Sequence, residues 1–123
     1  MNWSVVGAVL MALAVGLGAF GAHGLKNRLD AYSMSVYEKA VFYHFIHGLG
    51  ILLAAVLART NGISAAGLAR VGWLLFVGIV LFSGSLYALA ISGIRVLGAI
   101  TPFGGIAFIV GWVVLAVETA RHG

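Results

Sequence analysis

Four uninterrupted stretches of the chain, Asn2 to Leu25, Ala40 to Ala58, Val71 to Ile94 and Val96 to Val117, contain no Asp, Glu, Lys or Arg. Even the shortest reaches the ~17–25 residues that an α-helix needs to cross a hydrocarbon layer about 30 Å thick. In lipid every backbone amide and carbonyl must find its partner within the chain, so such stretches form helices. The chain is too short to supply the strands of a polar-lumen barrel. The sequence therefore predicts an all-α fold, an integral membrane four-helix bundle, with helices over 3–22, 37–58, 71–91 and 101–120 in a single domain of 123 residues.

Composition agrees with that reading and removes several functions. Hydrophobic residues make up 63% of the chain and charged residues 8%, a balance that a water-soluble domain of this size could not hide. The formal charge of +4 comes from seven basic residues, Lys26, Arg28, Lys39, Arg59, Arg70, Arg95 and Arg121. They are spread over the helix ends and read as topology and headgroup charges, so membrane lipids are expected as partners and nucleic acid is not. The chain has no cysteine, which excludes disulfides, thiolate metal sites and a cysteine nucleophile. Phe20-Gly21-Ala22 follows an apolar run as a signal-peptide cleavage site would, but no basic residue precedes that run, and residues 3–22 are read as a retained helix.

Let side A be the membrane face that carries the N-terminus. Four crossings then place segments 23–36 and 92–100 on side B, and segment 58–70 and the C-terminus on side A. Basic residues number four on side B (Lys26, Arg28, Lys39, Arg95) and three on side A (Arg59, Arg70, Arg121), which points to side B as cytoplasmic and both termini as external. Trp3 and Trp73 fall at side A, with Trp112 deeper, and Tyr32, Tyr37, Tyr43 and Tyr87 in the side B half, as in interfacial aromatic belts.

The same bookkeeping gathers the polar residues of the spans. His23 ends helix 1 on side B, His44 and His47 lie on helix 2, Ser83, Ser85 and Tyr87 on helix 3, and Thr101 opens helix 4. At ~1.5 Å per residue from Tyr37, His44 lies roughly 10 Å and His47 roughly 15 Å along the helix. Tyr37, Ala40, His44, His47 and Ile51 follow the 3-4 spacing of one helix face, and Ser83 and Tyr87 share another at i,i+4. Unsatisfied imidazoles and hydroxyls are costly in lipid, so these faces are predicted to turn inward. His23, His44, His47, Ser83, Ser85, Tyr87 and Thr101 form a candidate polar pocket open to side B. The competing expectation is that they bond one another as interhelical glue.

Eighteen glycines lower the distance at which helices can meet. Ala14, Gly18 and Ala22 repeat at i,i+4,i+8, and Gly104, Gly105 and Gly111 notch helix 4. The excess of small surface predicts a homo-oligomer, with a further membrane-protein partner possible on the same grounds. Thr101-Pro102 has a helix-start signature, with Thr101 as N-cap and Pro102 at the first helical position.

Chemistry is thin. His44-Phe45-Ile46-His47 has a ligand-like spacing, but a di-iron bundle needs several inward carboxylates, and the acids are Asp30, Glu38 and Glu118, near helix ends and none at mid-membrane. A bis-imidazole haem needs a second histidine at matching depth. No metal and no cofactor is expected. Small four-helix proton-coupled exporters use an intramembrane acid, which is missing here, so a transporter would rely on His44 or His47. Ser83-Gly84-Ser85 lacks a strand-to-helix elbow and a nearby acid, so no catalytic residues are assigned and an enzyme is not expected.

The strings Gly18-Ala19-Phe20-Gly21-Ala22-His23-Gly24-Leu25, Phe82-Ser83-Gly84-Ser85-Leu86-Tyr87 and Ile100-Thr101-Pro102-Phe103-Gly104-Gly105, with Gly111-Trp112, resemble the small bacterial inner-membrane proteins of domain of unknown function 423, the YgdD-like family. The resemblance covers essentially the whole chain. It implies a multi-pass plasma-membrane protein of unestablished activity. His23 matches the histidine of the family's first string, and His47 resembles the one that follows a Tyr-Gln pair in helix 2. His44 stands where that pair has Gln, a departure that weakens a two-histidine metal site and keeps a hydrogen-bonding role, since both residues can bridge helices. The leading expectation is a non-enzymatic oligomeric scaffold or accessory subunit. The alternative is a small-molecule or lipid-binding carrier that uses the side B pocket.

Overall fold

A computed structural model describes residues 1–122. Four helical crossings are each long and apolar enough to span a membrane. The first is α1 (Trp3–Phe20) continued by one π-helical turn, Gly21–Leu25. The second is α2 (Ala31–Arg59), 29 residues long. The third joins α3 (Ala65–Gly78), a π-helical turn at Ile79–Ser83 and α4 (Gly84–Ser92). The fourth is a 3-10 turn, Arg95–Ala99, that leads into α5 (Thr101–His122).

Side-chain caps set where the helices start. The side chain of Asn2 accepts from the Val5 amide at 3.2 Å, that of Asp30 from the Ser33 amide at 2.7 Å and that of Ser64 from the Gly67 amide at 2.9 Å, which satisfies donors that a helix cannot pair internally. The Ser33 amide also holds the Asp30 carboxyl below its usual range, so this cap keeps its charge at neutral pH and loses it only as the pH falls through the lowered value. At its other end α4 stops on Gly93, whose φ of 73° is the left-handed cap conformation.

The caps also explain where the observed helices outrun the expected ones. α2 begins at Ala31 rather than 37, and α3 at Ala65 rather than 71. Glu38, Lys39 and Arg70 interrupt the apolar runs without interrupting the helices, because a helix leaves the hydrocarbon before its backbone has any reason to stop. Thr101 does not act as the cap expected of it. Ile100 is already helical and its carbonyl accepts from the Phe103 amide at 3.1 Å, so the preceding turn supplies the partner and the Thr101 hydroxyl is free for another helix.

The crossings pack in chain order, α1 on α2, α2 on α3 and α4, and α5 on α3 and the π turn after it. The buried share of the most apolar window is 44% in the second and third crossings and 22% in the first and fourth, so α1 and α5 flank a central pair. Of the Ala14, Gly18, Ala22 repeat, Ala14 is fully buried and a Cβ on Gly18 would stand 3.4 Å from Val41, while Ala22 is exposed.

The closest backbone approach is at Gly104, where a Cβ would lie 2.3 Å from the backbone nitrogen of Phe82. A backbone nitrogen cannot swing aside as a side chain can, so Gly104→Ala should separate α5 from the third crossing and cost about 1–3 kcal/mol, the scale of core overpacking. Gly105 is its control, since a Cβ there meets the Phe82 ring at 3.9 Å. Thermal unfolding in detergent is expected to show a lowered midpoint for Gly104→Ala and an unchanged or raised one for Gly105→Ala.

Candidate functional site

The buried face of α2 is the one its spacing predicts. Tyr37, Ala40, His44, His47 and Ile51 are all buried, and α1 and the third crossing each contribute polar partners. From α1, the Leu17 carbonyl accepts the Tyr37 hydroxyl, and a Cβ on Gly21 would strike the Tyr37 ring. From the third crossing, the Tyr87 hydroxyl meets His44 Nδ1 at 2.9 Å, and the Ser83 hydroxyl donates to the Ala40 carbonyl at 2.8 Å. The Tyr37 and Tyr87 rings meet edge to face with centroids 5.3 Å apart, which ties these bonds into one cluster. Ser83 is the last residue of the π-helical turn Ile79–Ser83, and such turns re-aim side chains within an otherwise regular helix.

One atom of the cluster has no partner. His44 is 3% exposed, and its Nε2 is buried with no hydrogen bond. The Leu10 carbonyl of α1 faces the ring without meeting bonding geometry.

His47 has different surroundings. Its Nδ1–H donates to the Tyr43 carbonyl one turn back at 2.7 Å, and its ring stacks on Phe108 of α5 with centroids 3.5 Å apart. Tyr43 and Phe82, 4.4 Å apart, extend the aromatic layer. Gly78 makes room for it, since a Cβ there would lie 2.3 Å from the Phe108 ring.

Ser85 and Thr101 pair their hydroxyls at 2.6 Å and so join α4 to the start of α5. Of the seven residues expected in one pocket, His44 and Tyr87 touch directly, and Ser83 of the third crossing bonds to the same face of α2 through the Ala40 carbonyl. Ser85 and Thr101 form a second pair, His47 belongs to the aromatic layer, and His23 is exposed on the first crossing. Thr101 also borders a surface groove between α2 and α5.

A second polar centre lies at the side A end. Glu118 of α5 is 3% exposed, pairs with Arg70 of α3, and accepts from the Ser64 hydroxyl at 3.3 Å. It rests on Gly67, where a Cβ would meet its carboxylate oxygen at 2.5 Å. Sequence reasoning passed over Glu118 as a helix-end acid. The signal was present in register, because Gly104, Phe108, Gly111, Leu115 and Glu118 follow one face at 4-3-4-3 spacing and all are buried.

Comparison with known proteins places this arrangement. Residues 17–105 match the family model described as "Protein of unknown function (DUF423)". The chain belongs to that family. It is 54% identical over 117 residues to a UPF0382 membrane protein of Staphylococcus saprophyticus, which covers 95% of each chain. To the UPF0382 membrane protein YwdK of Bacillus subtilis it is 48% identical over 119 residues, 96% of this chain and 95% of that one. No solved structure matches it. With four spanning helices and relatives named as membrane proteins, it is a multi-pass protein of the bacterial cell membrane. The matched stretch contains the His44, Ser83, Tyr87 cluster and the Ser85, Thr101 pair, and ends before Glu118.

Interhelical hydrogen bonds in a membrane average ~0.6 kcal/mol and reach about 1.7. Tyr87→Phe and Ser83→Ala are each expected to destabilise the bundle within that range, and a double-mutant cycle of Tyr87→Phe with His44→Leu should return a coupling of similar size. Additive effects would show that the His44 to Tyr87 contact contributes nothing. Removing one member of a buried ion pair strands the other, so Arg70→Leu should lower the thermal midpoint clearly more than Arg59→Leu, which lies at the same membrane face without a carboxylate partner among the described residues.

Proposed function

We propose that this chain acts by association, as a non-enzymatic homo-oligomeric scaffold or accessory subunit of the bacterial inner, cytoplasmic membrane. The observation that carries this reading is the face of α1 turned away from α2. Ala8, Ala12, Gly16 and Ala19 lie along it, all exposed, and a Cβ on Gly16 would meet nothing within 4 Å. Glycine in a helix costs roughly 0.5–1 kcal/mol relative to alanine. At Gly78 and Gly104 that cost is offset by an intimate internal contact, but at Gly16 no internal contact exists to offset it. A small-residue stripe on a lipid-facing helix is the surface on which another helix can approach closely. A second copy of the chain, or a helix of a membrane-protein partner, fits it.

The polar residues support the same reading over that of a carrier. The hydroxyls of Ser83 and Ser85 and the Nδ1 atoms of His44 and His47 are engaged within the bundle, as interhelical glue would be. No nucleophile, base and orienter stand together among the assigned hydrogen bonds, which supports a non-catalytic role.

Because the chain has no cysteine, single introduced thiols report proximity cleanly. Ala12→Cys is expected to form disulfide-linked dimers on oxidation in native membranes, and Val113→Cys, on the exposed face of α5, is not. Gly16→Leu should shift the gently solubilised protein to monomer in native mass spectrometry without lowering its thermal midpoint. A monomeric wild type, or an oligomer indifferent to Gly16→Leu, would overturn the proposal.

A further inference from the structure

α2 is longer than the membrane it crosses. At ~1.5 Å per residue its 29 residues span about 44 Å against a hydrocarbon layer of about 30 Å. The excess falls at the polar N-terminal end, beyond the apolar run, where the helix carries Tyr32, Ser33, Ser35, Glu38 and Lys39.

Two grooves flank α2 at this level, and they differ in charge. One, between α1 and α2, has a volume of about 300 Å³ and is bordered by Glu38 with Gly21, Val41 and Phe45. The other, of about 500 Å³, opens between α2 and the start of α5. Its floor is Val36, Phe82, Leu86 and Leu89, and Lys39 and Tyr32 stand at its edge. Tyr32, Val36 and Lys39 are spaced i,i+4,i+7 on one stripe of α2.

Lys39 is exposed and pairs with no carboxylate among the described residues. The Tyr32 hydroxyl likewise has no intramolecular partner among the assigned hydrogen bonds. Neither acid at this face lines this groove: Glu38 borders the opposite one, and Asp30, which accepts from the Ser33 amide, lines a neighbouring smaller groove. That smaller groove shares Tyr32, Val36 and Leu89 with this one and carries Arg95 together with Asp30, so the net positive charge at this level comes from Lys39. The result is an apolar trough on the surface of the bundle, with an unneutralised cation and a free phenol at the end of α2 that outruns the apolar span.

We propose that the groove between α2 and the start of α5 holds one anionic phospholipid, with its phosphate on Lys39 and Tyr32 and an acyl chain along Phe82, Leu86 and Leu89. This site is independent of the α1 stripe, so association and lipid binding stand or fall separately. A polybasic contact to an anionic membrane is worth about 1 kcal/mol per lysine, roughly fivefold in affinity.

The test is native mass spectrometry of the full chain in detergent, titrated with phosphatidylglycerol or with phosphatidylcholine of the same acyl chains. The first phosphatidylglycerol is expected to bind more tightly than the first phosphatidylcholine. Lys39→Gln should lower that first step roughly fivefold, toward the phosphatidylcholine value, and Lys39→Arg should retain it. Lys26→Gln removes a charge from the same membrane face but from outside the groove, and should leave the step unchanged. Excess inorganic phosphate should not displace the lipid, because it gains nothing from the apolar floor. Equal binding of the two lipids, a preference that survives Lys39→Gln, an equal loss in Lys26→Gln, or displacement by inorganic phosphate would each overturn the proposal.

Discussion

An aliphatic helix surface gains little by leaving lipid for another aliphatic helix, because the two environments are equally apolar, so a membrane bundle is held by how closely its backbones approach and by the polar bonds it forms across them. In this chain closeness is bought by glycine at specific seams. Gly104 admits the backbone of Phe82, Gly78 admits the Phe108 ring and Gly21 admits the Tyr37 ring. Each seam then places a polar or aromatic group within reach of the neighbouring helix. The Tyr37 hydroxyl reaches the Leu17 carbonyl only because Gly21 has no side chain, and Phe108 stacks on His47 only because Gly78 lets it past α3. The glycines and the polar bonds are therefore one device.

That device is used twice, with different chemistry at the two membrane faces. In the half nearer side B, imidazole, phenol and hydroxyl groups are shared among the first three crossings, with the Ser85 to Thr101 pair reaching the fourth. At the side A end, a buried carboxylate on α5 is matched by Arg70 and Ser64 across Gly67. Neutral hydrogen bonds suit the deeper position, because an ion there would lose its hydration without recovering it. The ion pair lies close to the interface, where the half-exposed Arg70 side chain, 54% accessible, can keep part of its water. A slide of α5 along the third crossing would break Glu118 from Arg70 and Thr101 from Ser85 together, so the two centres fix the same register from opposite ends.

How much of this was legible in the sequence follows from which physical term set each feature. The crossings were legible because the desolvation cost of charge is large and leaves long uncharged runs. The inward face of α2 was legible because Tyr37, Ala40, His44, His47 and Ile51 carry the helical period. Helix ends were not, since a helix that emerges from lipid obeys its caps, and Asp30 and Ser64 lie outside the apolar runs. The role of Thr101 was misread because a helical Ile100 already supplied the partner a cap would provide. Glu118 was hidden by treating acids by depth alone, although its phase with Phe108 and Leu115 marked it as inward. On α1 the i,i+4 repeat singled out Ala14, Gly18 and Ala22, of which Ala14 and Gly18 are turned into the bundle, and it passed over Ala8, Ala12 and Gly16, which face away.

The unequal sharing of contacts among the crossings then separates stability from function. α2 and the third crossing carry most of the internal bonds, so substitutions there test folding before they test anything else. α1 and α5 each give one side to the bundle and keep the other free, and the free side of α1 is lined by residues too small to shield its backbone. The α2 overhang has the opposite character, with long polar side chains standing at the headgroup level around an apolar trough. A surface built for another helix must be smooth and close, and a surface built for a lipid must be grooved and charged at one edge. The two faces of this small bundle differ in just that way, and Gly16 and Lys39, exposed on them, can be altered without touching the polar centres between the helices.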